Sequence, residues 1–97
     1  MSRIPLHVDD DFVIEVEFNR RGALFLHNTV KRYNRDVKNK IKEAFERVKN
    51  ALRGAGVKAI YTCVKGEKVE KYNRMFGFRG TGIYDPYFRA EILAIKL

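Results

Sequence analysis

Apolar and polar residues alternate near the start of the chain, in the segment FVIEVEF (residues 12–18). From Ile14 onward every second residue is apolar and glutamates fill the positions between, as in a strand with one face against a core. The following Asn19–Gly22 segment has the composition of a tight turn in which glycine takes a positive φ. Residues 23–30 continue as a second strand, so the pattern predicts a β-hairpin.

The hydrophobic period changes at about Asp36. Apolar residues then recur at the i, i+3, i+4 spacing of one helix face, while lysine and glutamate fill the other faces. This predicts a long helix that ends at the stop signal Arg53–Gly56. The predicted buried face consists of Ile41, Ala44, Phe45, Val48, Ala51 and Leu52.

The rest of the chain predicts one more strand, one more helix and a closing strand. The strand is rich in β-branched and aromatic residues, and the helix has apolar residues at helical spacing. Met75, Phe76 and Phe78, around the glycine that ends this helix, are predicted to bury against the sheet. The predicted elements are a buried strand over Val57–Val64, a helix over Glu67–Phe76, a turn at Arg79–Gly82, a break at Pro86 and a strand over Phe88–Leu97. Residues 1–11 are predicted to be a polar lead-in. The order is therefore β-β-α-β-α-β, in a single α/β domain spanning residues 1–97.

Charge adds a preference for anionic partners. The chain has 20 Lys and Arg against 12 Asp and Glu, for a net charge of +8. Positive charge is concentrated between Lys31 and Lys42, a segment that could bind a cofactor pyrophosphate or a nucleic-acid backbone, or could form a solvated helix start. The lone Cys63 excludes an internal disulfide and a cysteine metal cluster. With no signal-like or membrane-spanning apolar run, we expect a cytoplasmic protein with no membrane partner.

Four segments together resemble the C-terminal half of the GNAT (N-acetyltransferase) superfamily. KYNRMFGF followed by RGTG is similar to the end of the family's next-to-last helix, and AEILAIKL is similar to its terminal strand. GVKAIYTCVKG lies where the family has the strand beside acyl-CoA. FLHNTVKRYNRDVKNKIKEAF lies where a strand leads into the pyrophosphate loop and a long helix. The resemblance covers roughly residues 22–97.

This resemblance implies a truncated GNAT-like fold, a mixed sheet with two helices, that transfers an acyl group from acetyl-CoA to an amine. Backbone N–H groups at a helix N-terminus suit the pyrophosphate of acyl-CoA, because the helix dipole is positive there. The family's pantetheine arm pairs with main chain where two parallel strands splay apart. The implied cofactor-binding residues are Val30, Arg35, Asp36, Val37, Lys38, Asn39 and Lys40.

The chain departs from the family pattern at its functional positions. Lys38 and Lys40 stand where the family loop has glycines, whose missing Cβ permits close approach to phosphate. The tyrosine that protonates the thiolate in the family corresponds to Asn73, and Tyr72 lies one residue earlier, about 100° away around a helix. The family's asparagine at the head of this helix corresponds to Gly66.

These departures leave three functions open. The first is an N-acetyltransferase, in which a homodimer or larger assembly supplies the family's N-terminal half. The second is a non-catalytic GNAT-like protein of phage virion structure or assembly, with virion proteins as partners. The third is a small basic nucleic-acid-binding domain, although its aromatic residues lie at core spacing and no RNP-type strand is recognisable.

Four residues are candidates for acid–base chemistry. Tyr72 is a candidate acid for the thiolate, or alternatively a core residue. His27 is a candidate general base because imidazole titrates near neutral pH, or alternatively a strand residue without chemistry. Glu15 and Glu17 are candidate bases, or alternatively the solvated face of a strand. The two histidines, His7 and His27, have no companion residues at metal-ligand spacing, so no metal site is expected.

Overall fold

The computed structural model describes residues 3–63, 67–87 and 89–97, and for residues 67–70 the backbone alone. Six strands and two helices occur in the described chain. They are β1 (Ile4–Val8), β2 (Phe12–Phe18), β3 (Leu24–Val30), α1 (Arg35–Gly54), β4 (Ala59–Cys63), α2 (Glu67–Met75), β5 (Arg79–Asp85) and β6 (Ala90–Lys96). The strands form one mixed sheet in the order β1-β2-β3-β4-β6-β5. The predicted α/β class and mixed sheet with two helices are therefore confirmed.

The predicted element order is wrong at two places, because β1 and β5 were missed. Residues 1–11 are not only a polar lead-in, since β1 pairs antiparallel with β2. Its alternation is broken by Pro5 and by a register shift between Pro5 and His7. β5 covers the predicted turn at Arg79–Gly82 and pairs antiparallel with β6, with an irregular register between Gly80 and Tyr84. Proline and glycine at these places interrupt the alternation of apolar and polar residues, so the sequence pattern did not indicate strands there.

The predicted hairpin of β2 and β3 is confirmed. Gly22 has a φ of 81° in the turn, a conformation that glycine adopts without a steric penalty. The side-chain oxygen of Asn19 accepts hydrogen bonds from the backbone N–H groups of Arg21 and Ala23. Asn19 thus closes the turn, and seven facing pairs follow from Phe12↔Val30 to Phe18↔Leu24.

Both helices pack on the same face of the sheet. The core contains Ile14 and Leu26 from the hairpin, Ile60 and Leu93 from the following strands, and the buried face of α1. From α1 that face contributes Val37, Ile41, Ala44, Phe45 and Val48, whereas Ala51 is exposed, contrary to expectation. The opposite face of the sheet, which presents Glu15, Glu17, Phe25, His27 and Tyr61, is called the open face below.

The second helix ends at a glycine in a left-handed conformation. Gly77 has a φ of 102°, and the N–H of Phe78 returns to the carbonyl of Asn73. Phe78 is 1% exposed and lies 5.9 Å from the ring of Phe45, so the prediction that it belongs to the core is confirmed. Phe76 also packs against Phe45, but Met75 is 42% exposed and does not join the core as predicted.

β3 and β4 are parallel neighbours connected through α1. Within the described part of these strands, Phe25 and Tyr61 are the one facing pair. A further link is the hydroxyl of Thr62, which donates to the carbonyl of Leu26 over 3.3 Å. By contrast, β4 has five facing pairs with β6. In the described residues, β3 and β4 are therefore joined by fewer facing pairs than β4 and β6 are. This junction is called the β3–β4 gap below.

Candidate functional site

Asn28 of β3 contacts Tyr72 of α2, 44 residues away in the chain, on the face of the sheet that the helices cover. The Nδ2 group of Asn28 donates to the hydroxyl oxygen of Tyr72 over 3.0 Å. The Asn28 Oδ1 atom is buried and has no hydrogen-bond partner among the described residues. A cavity of about 10 Å³ lies beside both side chains and is also lined by Asn73, Phe45 and Phe76. The site therefore combines an apolar wall with two polar groups, the Oδ1 acceptor of Asn28 and the hydroxyl of Tyr72.

Tyr72 is held by aromatic neighbours that also set its acidity. Its ring lies 4.8 Å from that of Phe76 and 5.9 Å, edge to face, from that of Tyr33. Burial raises the pKa of Tyr72 to about 12, with a smaller contribution from Tyr33, while the hydrogen bond from Asn28 acts in the opposite direction. The phenol therefore stays protonated throughout the neutral range. Because Asn28 donates to its oxygen, the hydroxyl hydrogen is available for another acceptor.

The candidate base His27 lies on the open face, since consecutive strand residues point to opposite faces. Its Nε2 atom is 3.0 Å from Oε1 of Glu17. Glu15 lies directly opposite His27 in the register, but its carboxylate is 3.7 Å from Arg3. The structure thus pairs His27 with Glu17, and Tyr72 lies on the other side of the sheet. In the described residues no group of His, Cys, Asp or Glu is arranged to hold a metal ion.

The predicted cofactor segment forms the end of β3 and the first turns of α1. Val30 is the last residue of β3, and Arg35, Asp36, Val37, Lys38, Asn39 and Lys40 are helical. Asn34 caps the helix, because its Oδ1 accepts from the N–H of Val37 over 2.9 Å, and its carbonyl accepts from the N–H of Lys38. Val37 is buried, whereas Arg35 and Asp36 are exposed at the helix start. A residue of this type before a helix is a recognisable capping signal.

Asp11 holds two side chains of the basic segment. Its Oδ1 accepts from Nε of Arg32 over 3.1 Å, and its Oδ2 accepts from Nζ of Lys40 over 3.2 Å. Its carbonyl accepts from the N–H groups of Lys31 and Arg32. The sequence gives no signal for this contact, because a run of three aspartates is more typical of a solvated turn. Asp11 joins the β1–β2 connection to the start of α1 and neutralises part of its charge.

The two aspartates of this connection have lowered pKa values. For Asp9 the hydrogen bond from His7 is the largest cause, and N–H groups of Phe12 and Asp11 add to it, giving a pKa of about 2 in place of 3.8. For Asp11 the hydrogen bonds from Arg32 and then Lys40 lower the pKa. Both carboxylates are therefore more stable as anions in the folded chain than in the unfolded chain.

Acid is expected to destabilise the fold through these two residues. A lowered pKa stabilises the folded state above the unfolded value of 3.8, and this stabilisation is lost as the pH falls towards about 2. We expect the thermal midpoint to drop across this window, measured by circular dichroism. In Asp9→Asn the midpoint should be lower at neutral pH and less dependent on acid. Asp10→Asn is the matched control, and an equal flattening there would contradict the assignment.

No helix among the described residues is long and apolar enough to cross a membrane. Comparisons with protein-family models, with curated proteins and with solved structures found no match to this chain. The fold and site thus define a two-layer α/β domain with little described pairing between the parallel strands β3 and β4, a half-buried Asn–Tyr pair under the helices and a capped basic helix start.

Proposed function

We propose that this chain is a GNAT-like domain that binds acyl-CoA in the β3–β4 gap and transfers its acyl group to an amine. The observation that carries the proposal is that, within the described residues, the parallel strands β3 and β4 share a single facing pair, Phe25↔Tyr61, and a helix connects them. Strands that part leave main-chain groups without sheet partners, and an extended amide-containing arm can pair with such groups. This is the role that the resemblance gives to two splayed parallel strands.

In this proposal the open face of the sheet supplies the general base, and the face that the helices cover supplies the general acid. The amine nitrogen forms a bond to the thioester carbonyl carbon, and the C–S bond breaks with its electron pair passing to sulfur. His27 on the open face accepts the amine proton, oriented by Glu17 at 3.0 Å. Tyr72 donates its hydroxyl hydrogen to the sulfur and regains a proton from water. Asn28 keeps this hydrogen free by donating to the phenol oxygen.

The phosphate end of acyl-CoA would lie at the start of α1. Arg35 and Lys38 supply positive side chains, and the first backbone N–H groups of the helix point outward from its N-terminus. Lys38 and Lys40 replace the family's glycines, so this contact relies on side-chain charge more than on close backbone approach. Asp36, in the first turn, partly offsets that charge.

Calorimetric titration with CoA and with acetyl-CoA at low salt tests the binding. We expect saturable heat for both ligands, and Arg35→Ala should weaken the affinity by about tenfold, since one tenfold step corresponds to ~1.4 kcal/mol. Arg53→Ala, at the opposite end of α1 and also exposed, is the matched control and should bind as the native chain does. Absence of heat with CoA at high micromolar concentration would end the proposal, and an equal loss in Arg53→Ala would remove the assigned phosphate site.

A second function, a non-catalytic GNAT-like domain that serves an assembly such as a virion, is favoured by one observation. Arg32 and Lys40 of the basic segment already bind the Asp11 carboxylate. This internal anion reduces the charge available to a phosphate. Binding of CoA without any turnover would support this second function over the first.

A further inference from the structure

One buried polar atom under the helices lacks a hydrogen bond within the described chain. The Oδ1 atom of Asn28 is buried and accepts from no described group, whereas the Nδ2 group donates to the hydroxyl oxygen of Tyr72 over 3.0 Å. Exchanging the amide oxygen and nitrogen would not remove the deficit, because Nδ2 would then be the unpaired atom. Most buried polar atoms in folded proteins have a partner, and an unpaired one destabilises the fold. Asn28 therefore indicates a small polar ligand at this place.

Tyr72 offers the complementary group. Burial raises the pKa of Tyr72 to about 12, so the phenol keeps its hydrogen at neutral pH. Because its oxygen already accepts from Asn28, this hydrogen is donated elsewhere. The rings of Phe76 and Tyr33, at 4.8 Å and 5.9 Å, hold the phenol in place. A ligand that satisfies both side chains must therefore donate to Asn28 and accept from Tyr72.

The cavity beside these two groups has the size of one water molecule. Its volume is about 10 Å³, and a single water requires roughly 10–15 Å³ by the same measure. Ile14, Ile41 and Phe45 form apolar walls and are at most 4% exposed. A larger ligand would have to displace these closely packed side chains. The cavity thus selects a ligand with one non-hydrogen atom.

Hydrogen-bonding chemistry distinguishes between ligands of this size. Water donates and accepts, so it satisfies Asn28 and Tyr72 together. Ammonium and metal cations accept no hydrogen bond and would leave the Tyr72 hydrogen unpaired, whereas chloride donates none and would leave the Asn28 oxygen unpaired. Of the described residues that line the cavity, none is charged, so an ion would also lack a counter-charge.

We propose that Asn28 and Tyr72 bind a single water molecule, which closes a ring of three hydrogen bonds. Asn28 Nδ2 donates to the Tyr72 oxygen, the Tyr72 hydroxyl donates to the water, and the water donates to Asn28 Oδ1. The second hydrogen of the water faces a cavity that the buried Asn73 also lines. This water belongs to the packing between β3 and α2 and is bound without acyl-CoA. In the proposed acyl transfer it would pass a solvent proton back to Tyr72.

A high-resolution crystal structure tests the water directly. We expect one density peak at about 2.7–3.2 Å from both Asn28 Oδ1 and the Tyr72 oxygen, and its loss in Asn28→Leu. In rotating-frame NMR spectra the side-chain amide of Asn28 should show a long-lived contact to water, and the exposed Asn39 should not. An empty cavity, a direct bond from another side chain to Asn28 Oδ1, or a peak that persists in Asn28→Leu would each overturn the proposal. Neither readout needs acyl-CoA, so failure of the proposed function leaves the test intact.

A double-mutant cycle tests the same ring through stability. Asn28→Leu leaves the Tyr72 hydroxyl unpaired and Tyr72→Phe leaves the Asn28 amide unpaired, so each should lower the urea midpoint. The double variant removes both groups, and its loss should be smaller than the sum of the two single losses. Tyr84→Phe, at an exposed tyrosine, is the matched control and should add to Asn28→Leu. Additive losses for Asn28→Leu and Tyr72→Phe would contradict the ring.

Discussion

Phe78→Ala is expected to lower the free energy of unfolding by about 3–5 kcal/mol. Phe78 is 1% exposed, stacks on Phe45 of α1 and lies in the wall of the cavity beside Tyr72. Its removal deletes the contact that holds α1, the end of α2 and the start of β5 together. Small domains have a total stability of only about 5–15 kcal/mol, so the variant should be marginally stable or unfolded at room temperature. Urea denaturation followed by circular dichroism measures the loss.

Met75→Ala is the matched control for this prediction. Met75 lies three residues earlier at the end of the same helix, but it is 42% exposed. The loss there should stay below about 1 kcal/mol, as is usual for surface positions. If Phe78→Ala and Met75→Ala had similar midpoints in urea, the packing around the Gly77 turn would not be the centre of the core.

Tyr72→Phe is expected to reduce acyl transfer by about 100-fold, with little change in the affinity for acetyl-CoA. The substitution removes only the hydroxyl that receives the Asn28 hydrogen bond and that we propose to protonate the sulfur. Release of the CoA thiol from acetyl-CoA in the presence of a set of primary amines gives the rate. Calorimetry on the same variant gives the affinity, so the two effects are separated.

Tyr84→Phe provides the control, because Tyr84 is an exposed tyrosine on the edge strand β5. Its rate should equal that of the native chain. A Tyr72→Phe variant as active as the native chain would remove Tyr72 from the mechanism. Native chain that binds CoA but releases no thiol with any amine would favour the non-catalytic function. An ultraviolet titration adds an independent check, since the native chain and Tyr84→Phe, but not Tyr72→Phe, should keep a tyrosine whose pKa is about 12.

The sequence predicted well those elements whose pattern is local and regular. β2 was predicted with its bounds, and α1 within one residue at its start, because alternation and helical spacing run uninterrupted there. β1 was missed because it is short and contains Pro5 and a register shift. β5 was missed because Gly80 and Gly82 have the composition of a turn. In both strands the pairing with a neighbour outweighs the local preference of the residues.

The candidate site was predicted less completely, for a different reason. Tyr72 and His27 were recognised as titratable residues, but the partners that define their environment come from distant parts of the chain. Asn28 meets Tyr72 across 44 residues, and Asp11 meets Lys40 across 29. No periodicity encodes such contacts. The cap Asn34 was within reach of sequence reasoning, because it precedes the helix and has a typical capping side chain.

The weak closure between β3 and β4 has a consequence for how the sheet can deform. β1, β2 and β3 form one three-stranded leaf, and β4, β6 and β5 form another, each held by antiparallel pairing. In the described part of the chain, the leaves meet through Phe25↔Tyr61 and the Thr62 hydroxyl, with the helices packed on the same sheet. Local opening is easiest where the fewest backbone hydrogen bonds must break, so we expect the sheet to open first along this junction. Among the described residues, the domain is thus two leaves joined at a weakly paired junction, and a ligand bound in the β3–β4 gap would act where few backbone pairs hold the leaves together.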